Sequence, residues 1–227
     1  MEILELFSRV FIRDGAWLFI LEGLWVTVQI SVLSLLGGTV LGAVVCFFRL
    51  RHQAILRGIA KTYIAVLRGS PVLMLLMLFY YSVFADSSLS PVQVAILTFS
   101  LHTSAHVAEL LRASLLALDR GQVEAAHMLG LTRWQAFRFV ALPQLLRLAK
   151  PVYQSTAVNL IQWTSVVGYV TITDLTRVMN NIASRTMQPM ITLTVGMLIY
   201  IGMAYLVYGV FALGEYKSRQ RRKEQQT

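Results

Sequence analysis

Charge is segregated along this chain. Five stretches contain no Asp, Glu, Lys or Arg: Gly23–Phe48, Gly69–Ala85, Ser87–Ala108, Pro151–Thr173 and Thr186–Gly214. All 20 Lys and Arg and all 11 Asp and Glu fall between or beyond them. The surface helices of a water-soluble protein each show water a charged face, so they do not leave windows this long. A hydrocarbon core about 30 Å thick needs roughly 20 apolar residues per helix. Each window reaches that length, alone or with one or two flanking turns. The pattern predicts an all-α integral membrane protein with five transmembrane helices. Composition agrees: the 227 residues are 56% hydrophobic and 14% charged, against about 25% charged in an average soluble domain.

A net charge of +9 and a pI of about 10.1 first suggest a nucleic-acid binder. The positions of the cations argue otherwise. Two basic residues precede the first window, five lie in 49–68, none in 86–91, six in 109–150, two in 174–185 and five after Gly214. Rich and poor segments alternate, which is the positive-inside pattern. It places the N-terminus outside and the C-terminus in the cytoplasm, with the basic tail near anionic lipid. Residues Met1–Phe7, "MEILELF", have no basic stretch followed by a short apolar run, so no cleavable leader is expected. The single cysteine, Cys46, supports no disulfide framework.

The helices are expected at about 23–48, 63–84, 91–116, 151–172 and 190–213, in one transmembrane domain spanning 1–227. The second is entered through Arg68-Gly69-Ser70-Pro71, and Pro151 stands in the first turn of the fourth. Residues 174–189 read as a short interfacial helix.

Residues 121–144, "GQVEAAHMLGLTRWQAFRFVALPQ", are the polar exception. Glu124 is expected in the first turn of a short helix, where the helix dipole favours an anion. Gly130 is the expected left-handed stop. Thr132 can cap a second helix over 133–141, which Pro143 ends. Trp134, Phe137 and Ala141 share one small apolar face. Spacing alone leaves two readings open: a connector lying on the membrane, or a docking element.

Two further clusters carry polar chemistry at membrane depth. His102, His106 and Glu109 share a helical face. They raise the possibility of a metal site and an intramembrane metal enzyme, but no fourth ligand is evident and no metal site is assigned. Glu109 and Arg112 read as a structural ion pair. Ser155, Asn159 and Gln162 fall at i, i+4 and i+7, followed by Thr164 and Ser165. Such groups bond neighbouring helices or face a water-filled path.

Glu124-Ala125-Ala126, then Gly130, then Leu142-Pro143-Gln144 resemble the EAA loop of ABC importer permeases. Arg68-Gly69-Ser70-Pro71, Glu109-x-x-Arg112, Gly121-Gln122 and Thr164-Ser165 are similar to the polar amino-acid uptake branch of that superfamily. The resemblance runs from about Gly23 to Ser165 and implies a permease subunit in the bacterial cytoplasmic membrane. It implies that the segment at about 119–145 is a two-helix cytoplasmic coupling loop. Glu124, Ala125, Ala126, Gly130, Trp134 and Phe137 would meet a separate ATPase dimer. It also implies a second permease subunit, an external substrate-binding protein, and a solute path touching Asn159, Gln162, Thr164 and Ser165. The solute would be a polar amino acid or a relative such as an opine, with another small solute such as methionine as the alternative. This chain departs from the family at His106, where Tyr is usual, and at Gln162-Trp163, where Lys-Asp or Lys-x is usual. It contains no G-x-x-x-x-G-K-[ST] loop, so ATP belongs to the partner chain and no cofactor to this one.

Overall fold

The computed structural model describes residues 8–13 and 15–224. Met1–Phe7 and the last three residues lie outside them, as do the side chains from residue 215 onward. The leader reading and the lipid contact of the basic tail therefore fall outside the described residues.

Every regular element among the described residues is helical. A π-helical turn at Ser8–Arg13 precedes α1 (Ala16–Arg49). Then come α2 (Ala54–Gly69), α3 (Val72–Leu78), α4 (Pro91–Leu116), α5 (Arg120–Met128) and α6 (Arg133–Ala136). The last three are α7 (Leu142–Trp163), α8 (Leu175–Thr186) and α9 (Pro189–Glu224). Short π segments follow α3 (Phe79–Val83) and α6 (Phe137–Ala141), and a 3₁₀ segment follows α7 (Thr164–Val170). Three stretches are long and apolar enough to cross a membrane alone: Ala16–Arg49, Pro91–Leu116 and Pro189–Gly214.

The expected helix over 63–84 is two helices. Ala54–Gly69 and Val72–Val83 meet at 106°, and the pair makes a fourth span only if counted as one broken crossing. Proline explains the break. Pro71 disfavours helical geometry at the residue before it, and Ser70 is extended at φ −90°, ψ 135°. The helix expected to open at Pro151 begins instead at Leu142, with Pro151 inside it. Nor does Pro143 end the second short helix. The chain stays helical from Arg133 to Trp163, through the π segment. There the Leu142 N–H reaches back five residues to the Phe137 carbonyl. The wider turn lies just where the Pro143 ring would crowd the preceding α-helical turn.

The chain divides into two compact units whose boundaries fall inside α1, α4 and α7 and between α2 and α3. In the first unit, α8 supplies the core. Leu175, Val178, Met179 and Ile182 pack with Val10, Phe11 and Ala16, flanked by Ile20, Leu24, Ile191 and Val195. The segment expected to lie at the interface is thus packed into protein on one face. Asp174 caps α8, accepting from the N–H groups of Thr176 and Arg177 at 3.1 Å each. Its burial pushes the carboxyl pKa up, against those donors. The Leu175 N–H donates to the Thr27 hydroxyl at 3.2 Å.

In the second unit, α1 and α4 approach to backbone distance. A Cβ on Gly38 would lie 2.7 Å from the Thr103 Cβ, and one on Gly42 2.7 Å from the Val107 Cβ. One on Gly37 would meet the Ser100 hydroxyl at 2.7 Å. Two small residues four apart are the device by which membrane helices pack without a hydrophobic driving force. Further along α1 and α4, with α2 added, Cys46, Ile64 and Ala108 pack with Val45, Tyr63 and Leu111. The Tyr63 and Ser104 hydroxyls bond at 2.7 Å.

This contact should respond sharply to volume. Gly38→Leu is expected to destabilise the folded chain by about 1–3 kcal/mol or more. Gly209→Ala, which meets nothing within 4 Å, should be neutral or stabilise by about 0.5–1 kcal/mol. Thermal unfolding of the two purified variants checks the contrast.

Candidate functional site

The segment between α4 and α7 is built by its own caps. Asp119 ends an extended backbone, and its carboxylate accepts from Gly121 N–H at 3.0 Å and Gln122 N–H at 3.4 Å. Glu124 is therefore not in the first turn. The anion at the helix N-terminus is Asp119, and Glu124 lies a turn further on, exposed. The chain stops α5 as expected at Gly130, with φ +84°. Gly130 N–H donates to the His127 carbonyl at 2.9 Å and Leu131 N–H to the Ala126 carbonyl at 3.1 Å. This is a Schellman stop, which needs a left-handed residue that glycine supplies without strain. Thr132 and Gln135 then form a reciprocal capping box on α6.

A polar clamp closes the hairpin. The Gln144 amide donates to the Gln122 side-chain carbonyl at 2.8 Å, and the Gln122 amide donates to Asp119 at 3.0 Å. The two ends of the sequence motif, 22 residues apart, thus hold each other. Ala126, Ala136 and Ala141 are buried, while Glu124, Ala125 and Gly130 are exposed. Large apolar side chains point outward among the polar ones: Met128 is 88% exposed, Leu129 81% and Trp134 66%. Phe137 and Phe139 are also exposed, and the rings of Trp134 and Phe137 lie 5.9 Å apart.

On α7, Ser155, Asn159 and Gln162 are all exposed. Thr164 is different. It is fully buried, and its hydroxyl donates to the Ile161 carbonyl at 2.7 Å. Ser165 lines a cavity of about 360 Å³ with Gly168, Tyr169, Thr176, Arg177 and Asn180. The Arg177 guanidinium donates to the Gly168 carbonyl at 2.9 Å. Sequence reasoning missed Arg177 and Asp119. An Asp directly before Arg-Gly-Gln was a legible cap signal; nothing local marks Arg177.

The His102 and His106 rings are 5.0 Å apart on α4, and His102 is buried. Among the described residues, no three His, Cys, Asp or Glu are grouped to hold a metal. Glu109 is held by Arg112, whose Nε donates to both carboxylate oxygens at 3.0 Å while Nη2 contacts Oε1.

Long apolar helices joined by a capped polar hairpin are the architecture of a helical membrane protein. The family of binding-protein-dependent transport system inner membrane components matches residues 30–223. The chain belongs to that family; it is a transport subunit, not an enzyme. It is 34% identical to the glutamine transport system permease protein GlnP of Escherichia coli (strain K12), over 70% of this chain and 74% of that one. It is 31% identical to the glutamate/aspartate import permease protein GltK of Escherichia coli O157:H7, over 86% and 88% of the two chains. A solved amino acid ABC transporter with histidines aligns at a TM-score of 0.78 and 26% identity, over 88% of this chain and 94% of that one.

The clamp has a measurable consequence. Gln144→Leu should leave the membrane helices intact but loosen α5. With about 1 kcal/mol lost from one hydrogen bond, its amides should exchange roughly fivefold faster. Hydrogen exchange on the full chain reads this directly.

Proposed function

We propose that this chain is the permease subunit of an ATP-driven importer for polar amino acids or relatives such as opines. One observation carries the reading most: the hairpin of α5 and α6 is rigidly capped from within yet presents its large apolar residues outward. A connector resting on lipid has no use for a Schellman stop, a capping box and a glutamine clamp in succession. A surface that must be received by another protein does. That partner is a dimer of separate ATPase chains, which bind ATP; Glu124, Ala125, Gly130, Trp134 and Phe137 form the contact, and Ala126, buried under it, supports the hairpin from within.

The polar face of α7 supports a second part of the proposal. Asn159 and Gln162 are exposed on this subunit, and unpaired amides in hydrocarbon cost several kcal/mol. They face a water-filled path shared with a second permease subunit, with Ser165 beside them. An external substrate-binding protein delivers the solute. Relatives named for glutamine and for glutamate and aspartate favour polar amino acids.

The charge pattern supports five crossings, with the N-terminus outside and the C-terminus in the cytoplasm. The bent pair α2–α3 serves as one crossing and α7 as another.

Two experiments test this. Gly130→Val strains the left-handed position by roughly 1–2 kcal/mol and re-aims α6. The variant should reach the membrane normally, yet bind the ATPase poorly or hydrolyse ATP without uptake. Gln162→Leu should keep ATPase binding and lose uptake. Normal uptake in both variants would end the proposal. For topology, cysteines placed at Ser88 and Ser218 should react with an impermeant reagent from opposite faces of intact cells; reaction of both from outside contradicts five crossings.

A further inference from the structure

Three charge boundaries of the sequence converge on one cavity. Arg49 directly follows the first charge-free stretch, Arg68 directly precedes the second, and Glu109 directly follows the third. In the folded chain, Arg49, Lys61, Ile64, Ala65, Arg68 and Glu109 line a cavity of about 240 Å³ in the second unit. We propose that Arg49, Lys61 and Arg68 form a binding site for a phosphate group at the membrane boundary, of the kind borne by an anionic phospholipid headgroup or by free phosphate.

The charge balance is the first argument. The carboxylate at this cavity, Glu109, is held bidentately by Arg112. Arg49 and Arg68 share the field of that single carboxylate, so together with Lys61 the cations around the space outnumber its one anion and leave it net positive. Neighbouring Arg51 is directed elsewhere, its guanidinium lying 4.1 Å from the centre of the Phe47 ring.

Shape is the second. Two guanidinium forks and one ammonium suit a tetrahedral oxyanion, which accepts paired hydrogen bonds from each fork. The cavity lies below the range of about 300–1,000 Å³ typical of metabolite sites. It suits a headgroup-sized anion rather than a nucleotide.

Place is the third. Charged residues are excluded from the hydrocarbon, so the ends of the charge-free stretches mark the headgroup level. Basic pockets between helices at that level recognise anionic headgroups. The apolar lining of Ile64 and Ala65 gives the glycerol end of such a lipid a place to rest.

The test uses the full chain in a neutral detergent, with native mass spectrometry and melting temperature as readouts. The probes are dioleoyl-phosphatidylglycerol, dioleoyl-phosphatidylcholine and inorganic phosphate. Phosphatidylglycerol should bind about tenfold or more tightly than phosphatidylcholine. The Arg49→Gln/Lys61→Gln/Arg68→Gln variant should lose that preference. Arg57→Gln/Arg133→Gln/Arg138→Gln, which removes equal charge elsewhere, should keep it. Phosphatidylglycerol retained against millimolar phosphate identifies lipid as the source. Stabilisation by phosphate with no lipid preference identifies free phosphate. If phosphate does not stabilise wild type and the two lipids bind it equally or not at all, the site is overturned, as it is if the triple variant keeps the wild-type lipid preference or phosphate stabilisation. If the triple variant elutes as aggregate, Lys61→Gln alone, at an exposed position, should still weaken binding severalfold, and no change there overturns the site equally.

Discussion

Hydrocarbon offers no partner to a charge or to an unpaired backbone group, and the rest of this structure follows from that. Side chains that need water are confined to the ends of apolar stretches. The same constraint acts on hydroxyls within the helices. Thr27, Thr39, Thr98 and Thr156 each donate to the carbonyl four residues back, at 2.6–2.9 Å. Those hydroxyls are satisfied inside their own helix, and Thr27 accepts the Leu175 N–H besides.

With water absent, apolar side chains gain little by leaving lipid for protein. Contact between helices must come from close fit. Glycines at 37, 38 and 42 let α1 meet Ser100, Thr103 and Val107 of α4. α9 shows the opposite character. Only 11% of its apolar window is buried within this chain, which leaves its surface for lipid or other subunits.

The hairpin between α4 and α7 obeys water's rules instead. It closes by caps, turns and a glutamine clamp, each a local device that works without a core. Local devices hold shape independently of what lies around them. That suits an element whose outward face, with Met128, Leu129 and Trp134, is left without cover in the isolated chain.

Much of this was legible in the sequence because it depends on solvation, which each residue carries with it. Charge-free windows marked the apolar helices, and Gly130 and Thr132 announced their turns through intrinsic backbone preference. Family membership was legible too, in the spacing of Glu124-Ala125-Ala126, Gly130 and Leu142-Pro143-Gln144. What the tertiary structure decided is pairing. No local rule says that Gly38 meets Thr103, that α8 turns its apolar face into a core with Phe11, or that Gln144 reaches Gln122. The bend at Pro71 and the uninterrupted run through Pro143 show the same limit. One proline breaks a helix and another is absorbed by a π turn, so the residue type alone does not select between the two outcomes.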